Sequence, residues 1–484
     1  MERDYDARDD SSNVEDESAE FGGLPDDRHE FHRSILREYD IRGVIGETQD
    51  TADARALGLA FGTVVSEAGG FRVCVGYDGR LSSPDLEGAL IEGLNASGVD
   101  AIHIGLGPTP MLYYGVNALD ADGGVMITAS HNPPDYTGFK CMLGKKSFWG
   151  DDIRRLGNIA SRGQFAMGQG RVLNSNMLDH YVTRIASDFQ YGRDNSVAWD
   201  AGNRAAGEAM ARLCPLLPGR HILLNETIHG TFPAHHPDPT QPENLEQLIA
   251  MVISEGCDLG FAFDGDGDRI GVVDGAGRIL WGDRYLTLMI REVLGERPGA
   301  TIIADVKASE TLFDEIRRLG GDGVMHCAGH SPIKAKMLET GAPLAGEMSG
   351  HIFFADRYYG YDDGLYAAVR LLSFLSRARQ SLVEMVDGLP KLVNTPEIRF
   401  PCPEAQKFDA ILEIRDRLWE AGVEFNDIDG VRVRTDDGWW LLRASNTQNA
   451  LVARCESADQ VGLERLRAAM SEQLRACAFE PPAF

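Results

Sequence analysis

The sequence predicts an α/β fold divided among several domains. Three observations carry this expectation: short apolar runs alternate with helical stretches from about residue 51 onward, each run ends in a loop rich in Gly, Asp, Asn, Ser or Pro, and 484 residues exceed what a single hydrophobic core serves. The first strand is expected over 71–76 and breaks at Tyr77-Asp78-Gly79-Arg80; Ser83-Pro84-Asp85 then opens a helix with Pro in its first turn. Strands over 101–104 and 125–128 follow, each running into a loop. A second unit begins near 177, with a strand over 197–199, an Ala-rich helix over about 204–213, a strand over 222–225, a polar loop rich in Pro and His, a helix over about 243–255 and a strand over 259–263. A third holds strands over 301–304 and 323–326 with a helix over about 309–319 between them. Beyond about 391 the pattern shifts to short alternating strands over 398–400, 423–425, 431–433 and 439–442, with a helix over 459–473, the signature of a smaller α+β domain. The expected organisation is an acidic disordered tail over 1–30, α/β domains over 31–176, 177–278 and 279–390, and an α+β domain over 391–484.

Charge narrows the function. The chain carries 74 acidic against 47 basic residues, a net charge of −27, and residues 1–30 alone hold 12 acids against 3 Arg. Such a surface excludes a general binder of nucleic-acid backbones but leaves room for a local basic pocket. The tail lacks apolar periodicity and is expected to serve as a solubilising extension or a weak interaction segment. No charged-then-apolar leader opens the chain, and no run approaches about 18 consecutive apolar residues, so a cytoplasmic protein without a membrane span is expected. The eight Cys form no Cys-x-x-Cys pair and read as small apolar fillers in a reducing compartment.

Four loops carry the chemistry. In Asp264-Gly265-Asp266-Gly267-Asp268-Arg269, three carboxylates at alternate positions repel one another unless a cation sits among them. Position 6 of this run is Arg269 and position 12 is Gly275, so it is not a calcium-sensor loop, and Mg²⁺ suits it better; a solvated acidic turn is the plain alternative. Thr128-Ala129-Ser130-His131-Asn132-Pro133-Pro134 presents a Ser after an apolar strand in a stiff loop, as a nucleophile or phosphate carrier or simply as a loop hydrogen-bonder. No Gly-x-Ser-x-Gly elbow and no Gly-x-x-x-x-Gly-Lys-Ser/Thr loop is present, which removes the usual hydrolase and nucleotide seats. Gly346-Glu347-Met348-Ser349-Gly350-His351 offers a carboxylate and a hydroxyl that could grip sugar hydroxyls or form a plain turn. Arg443-Ala444-Ser445-Asn446-Thr447 offers a guanidinium fork, hydroxyls and an amide suited to a phosphate dianion. Four such loops in four successive units point to one site at the junction of four domains.

Together with Tyr39-Asp40-Ile41-Arg42-Gly43, these segments resemble the alpha-D-phosphohexomutase superfamily, most closely its bacterial phosphomannomutase/phosphoglucomutase branch, from about residue 37 to 480. The resemblance implies three similar α/β domains and a smaller C-terminal domain around a central cleft. It implies an isomerase of carbohydrate metabolism that interconverts hexose 6-phosphate and hexose 1-phosphate, of mannose and/or glucose, acting as a monomer. Under it, Ser130 is the phosphorylated serine and, with Asp264, Asp266 and Asp268, holds Mg²⁺. Arg42, His131, Lys140 and Arg269 surround the transferring phosphate, with Lys140 as the general base. Glu347 and Ser349, helped by Lys307 and His330, read the sugar, while Arg443, Ser445, Asn446 and Thr447 bind the phosphate that is not reacting, with Tyr39 nearby. Hexose 1,6-bisphosphate is the implied intermediate and activator. Phosphoglucosamine mutase is the runner-up, disfavoured because Met348 stands where that branch more usually has Gln and because Arg443-Ala444-Ser445-Asn446-Thr447 departs from its Ser-Gly-Thr-Glu ending. A non-catalytic sugar-phosphate binder would be expected to have lost Ser130 or the Asp triplet.

Overall fold

The computed structural model describes residues 28–446 and 448–481 and folds them into four successive domains, three α/β and one α+β. The first three share one four-strand frame. In domain 1, Asp100–Leu106, Arg72–Tyr77 and Gly123–Ile127 lie parallel, and Tyr136–Leu143 returns antiparallel beside Gly123–Ile127. Domain 2 repeats this with Arg220–Leu224, Ser196–Asp200, Leu259–Phe263 and the returning Ile270–Asp274. Domain 3 repeats it with Asp322–His326, Thr301–Asp305, Leu344–Gly346 and the returning Ile352–Phe354. In each copy the connection into the returning strand is one of the chemistry-bearing loops: residues 128–135, 264–269 and 347–351.

Local sequence explains the frame. The helix Thr51–Glu67 starts at Asp50, whose side chain accepts from the amides of Ala52 and Asp53 while Asp53 accepts from the Asp50 amide, a reciprocal cap. This helix lies against Ser83–Ala96 with backbones touching: a β-carbon at Gly58 would fall 2.2 Å from the Leu90 carbonyl oxygen, so only Gly fits there. The chain is already tied down before residue 31. The His29 ring lies 2.7 Å from Asp53, and its amide donates to the Ala160 carbonyl at 3.0 Å, so residues 28–30 belong to domain 1 and not to the tail expected over 1–30; residues 1–27 lie outside the described part. Likewise Ile279–Leu280 pairs with Ile270–Asp274, which carries the second sheet past the boundary expected at 278.

Domain 4 is an antiparallel sheet built on Val431–Thr435, Gly438–Ala444 and Ala450–Ser457, covered on one face by Gln460–Ala476 and Glu404–Glu420. The second of these helices was not expected from the sequence, and the strand expected over 423–425 is reduced to Phe425–Asn426. Apolar contacts run without a break from domain 1 to domain 3, joining Met111, Trp199, Phe261, Tyr285 and Leu365 in one core, whereas domain 4 has its own. It meets domain 3 through a small apolar patch of Val306, Trp439 and Leu441, and through buried arginines. Arg432 donates to the carbonyls of Val306 and Ala308 at 2.8 and 3.1 Å, and Arg454 donates to the carbonyl of Lys307. Among the described residues no helix is long and apolar enough to cross a membrane, and no disulfide joins any of the eight Cys.

Candidate active site

The three returning hairpins and the Arg443 loop face one cleft of about 1020 Å³. Ser130 sits at its floor, 2% exposed, with a backbone φ of 50°. That left-handed conformation costs a residue with a side chain about 1–2 kcal/mol, and such strain persists where the surroundings enforce it. Its amide donates to Thr128 Oγ1 at 2.9 Å, and its Oγ donates to Asp264 Oδ2 at 2.7 Å and lies 3.2 Å from His131 Nδ1. His131 is held well below its ordinary pKa by burial and by Arg269 and Arg42, which keeps it neutral.

Beneath Ser130 lie Asp264, Asp266 and Asp268, all fully buried, with one oxygen of each within 4.8 Å of the others. Lys140 Nζ donates to Asp266 Oδ2 at 2.7 Å and to Asp268 Oδ2 at 2.6 Å, and Thr109 Oγ1 donates to Asp266 Oδ2 at 2.5 Å. Lys140 and, 4.0 Å from Asp264, the Arg269 guanidinium are two cations against three carboxyl groups, and Oδ1 of both Asp266 and Asp268 is buried without a hydrogen-bond partner. An all-oxygen set with orphaned lone pairs fits a hard divalent cation, so the residues present suit Mg²⁺. The electrostatics agree: burial and then its two carboxylate neighbours push Asp264 well above the usual carboxylate range. Burial would raise Asp266 too, but Lys140 outweighs it and holds that carboxyl below its ordinary value. Burial opposes the charge on Lys140, yet Asp266 and Asp268 keep it well above the usual lysine range, so in this pairing it is an ammonium and not an amine.

Cations line the walls. Arg42, on the strand Ile41–Val44, pairs with Asp40 and donates to Asn132 Oδ1 at 2.8 Å. Arg269 follows the triplet directly and donates from Nε to His351 Nε2 at 2.9 Å, while His351 Nδ1 lies 2.9 Å from Asp362. Glu347, 3% exposed, accepts from the Gly329 amide at 2.8 Å and shares the cleft with Ser349. Lys307 is paired with Glu397 at 3.0 Å and Asp305 at 3.4 Å. His330 begins the helix His330–Thr340 and faces Tyr39, with ring centres 6.1 Å apart. Tyr39 joins three domains: its hydroxyl donates to the Ala328 carbonyl at 3.1 Å and accepts from Asn446 Nδ2 at 2.8 Å. Arg443, from the strand Gly438–Ala444, donates to Asp429 at 2.9 Å, and Ser445 and Asn446 stand beside it in the cleft.

The residues expected to form the site therefore converge. Arg42, Ser130, His131, Lys140, Arg269, Lys307, His330, Glu347, Ser349, Arg443, Ser445, Asn446 and Tyr39 all line the cleft, with the Asp triplet buried under its floor; Thr447 lies outside the described residues. Sequence reading passed over Glu397 and Arg399, which also line the cleft, and assigned no role to His351 although it closes a singled-out motif. Glu397 and Arg399 flank a strand residue as an alternating charged pair, the one local signal that could have marked them.

Fold and site define a class: a multidomain α/β enzyme with a cleft built at the meeting of four domains. Four family models match in succession: domains I, II and III of phosphoglucomutase/phosphomannomutase, each described as alpha/beta/alpha, over residues 33–165, 178–277 and 281–393, and the C-terminal domain over 397–473. The chain belongs to this family, within the bacterial phosphomannomutase/phosphoglucomutase branch of the alpha-D-phosphohexomutase superfamily. It is 44% identical to a phosphomannomutase/phosphoglucomutase of Pseudomonas aeruginosa, over 92% of this chain and 96% of that protein. It is 41% identical to a phosphoglucomutase of Neisseria gonorrhoeae, over 90% and 95%. A crystal structure of a phosphoglucomutase/phosphomannomutase family protein from Burkholderia thailandensis superposes with a TM-score of 0.88 at 43% identity, covering 93% of this chain and 98% of that one.

Proposed function

We propose that this protein interconverts hexose 6-phosphate and hexose 1-phosphate, of mannose and/or glucose, through a phosphorylated Ser130 and a hexose 1,6-bisphosphate intermediate. The observation that carries this reading is Ser130 Oγ, held 2.7 Å from Asp264 of a buried carboxylate triplet and opening into a cleft that Arg443 also lines. In the forward half-reaction, the bond from phosphorus to Ser130 Oγ breaks as a sugar hydroxyl bonds to the same phosphorus. Arg42 and Arg269 offset charge on the transferring oxygens. The family resemblance gives the hydroxyl proton to Lys140 Nζ; the pairing described above keeps Nζ protonated, so that role requires the pair to open. Asp264, Asp266 and Asp268, with an oxygen at Ser130, would hold Mg²⁺, which when bound supplies charge neutralisation at the phosphoryl group. After transfer, the bisphosphate turns end for end and its other phosphate returns to Ser130. Glu347 and Ser349 must therefore grip hydroxyls in both orientations, while Arg443, Ser445 and Asn446 hold whichever phosphate is distal. Domain 4, with its separate core and a seam to domain 3 made of one small apolar patch and buried arginines, is the element suited to opening for this turn.

Coupled assays with mannose 1-phosphate, glucose 1-phosphate and glucosamine 1-phosphate test the reading. Turnover of the first two well above the third is expected; preference for glucosamine 1-phosphate would move the protein to the runner-up activity. Arg443→Ala removes a charged hydrogen-bond donor worth about 1.5–3 kcal/mol. It should raise KM by about 10- to 100-fold while kcat falls much less; steady-state kinetics with an unchanged KM would remove Arg443 from the phosphate site.

A further inference from the structure

The loop that carries Ser130 is gripped by a residue that never reaches the cleft. Arg80 lies in the turn after the strand Arg72–Tyr77 and is fully buried, and its guanidinium is spent almost wholly on that one loop. Nη2 donates to the carbonyls of Ser130 at 2.9 Å and Asn132 at 2.8 Å, and Nη1 donates to that of Tyr136 at 2.8 Å and to that of Pro133. Nε donates to Asp78 Oδ2 at 3.0 Å. Asp78 Oδ2 also accepts from Thr128 Oγ1 at 2.9 Å, and Thr128 Oγ1 in turn accepts the Ser130 amide at 2.9 Å. Four carbonyl dipoles converging on one point repel one another without a cation between them, and a planar fork satisfies them in fixed directions. The pair thus holds the peptide group on each side of the Ser130 α-carbon, one through the carbonyl and the other through Thr128. Those two groups set φ and ψ, and so set where Oγ points. The backbone of the Asp264–Asp268 loop also runs close to the same carbonyl: a β-carbon on Gly265 would lie 1.9 Å from the Ser130 oxygen, so only Gly fits there.

We propose that Arg80, with Asp78, is the positioning device that enforces the left-handed backbone of Ser130 and aims its hydroxyl at Asp264 and the cleft. The inference rests on the proposed role of Ser130 as phosphoryl carrier. Arg80 lies outside the cleft lining and serves chemistry through alignment, where a displacement of about 1 Å costs on the order of 100-fold in rate.

Arg80→Met keeps length and bulk but removes every donor; Arg80→Lys keeps charge without the fork; Thr128→Val removes the acceptor for the Ser130 amide in a near-isosteric side chain. The full-length variants would be compared with wild type by thermal melting, by kcat and KM for a hexose 1-phosphate, and by mass spectrometry of phosphate on Ser130 after incubation with glucose 1,6-bisphosphate. Arg80→Met should lower kcat about 100-fold and slow labelling of Ser130 in step, with KM within about threefold; Arg80→Lys and Thr128→Val should fall between it and wild type. If Arg80→Met does not fold, the two milder variants decide. Folded variants that label and turn over within threefold of wild type, or that lose activity through KM alone, overturn the positioning role. A wild-type enzyme that turns over without ever labelling at Ser130 overturns the phosphoserine reading itself and this inference with it.

Discussion

Ser130→Ala is expected to abolish turnover, by at least about 1000-fold, with the fold intact. The side chain loses one oxygen, and with it the sole hydroxyl donated to Asp264 among the described residues. Ala accommodates the same backbone about as well as Ser, so the thermal midpoint should move little. Substrate should still bind, because Arg443, Glu347 and Ser349 lie on other domains. The measurement is kcat together with phosphate incorporation from glucose 1,6-bisphosphate: the variant should bind hexose phosphate near wild-type affinity, take up no label and show no turnover. A variant that retains the wild-type rate would sink the assignment of Ser130.

Chelation is expected to produce the next largest loss. Three buried carboxyl groups crowd together against Lys140, with Arg269 Nε 4.0 Å from Asp264, and Oδ1 of Asp266 and of Asp268 makes no hydrogen bond, a set that a divalent cation would complete. Dialysis against EDTA should lower activity by at least about 100-fold, and Mg²⁺ should restore it. The same titration has a readout independent of activity. An ion that binds the folded chain alone raises its melting temperature with concentration, and that rise should vanish in Asp266→Asn or Asp268→Asn. An enzyme insensitive to chelator, with a melting temperature indifferent to Mg²⁺, would overturn the metal role.

Much of the architecture was legible because local chemistry and tertiary role agree. The strand Leu259–Phe263 was read to the residue, since five apolar side chains end abruptly at Asp264-Gly265. The helix Glu404–Glu420 was missed for a physical reason. Its buried residues Ile411, Ile414 and Leu418 keep helical spacing, but Phe408, Leu412 and Trp419 stand 47%, 44% and 78% exposed and blur the stripe. The site itself was legible as separate loops, and their union came from family resemblance, because nothing in spacing tells that residue 39 touches residue 446. The likeness of domains 1 to 3 likewise came from family resemblance, for a related reason: it recurs in strand order and direction, and each copy fills its hairpin with different residues. Arg80 was invisible as well, since a turn arginine gains its meaning only when a loop 50 residues later folds over it.

That shared frame has a consequence for stoichiometry. Sites formed at the meeting of several similar units are commonly assembled from separate subunits, and then they exist only above the concentration at which the subunits associate. Here the similar units are links of one polypeptide, and one unit supplies Ser130, the next the Asp264, Asp266 and Asp268 triplet and the third Glu347 and Ser349. Covalent continuity lets each copy diverge independently, which a symmetric assembly forbids because a change in one subunit is a change in all. It also draws the lining residues of the cleft from one chain, so their proportions are fixed at synthesis.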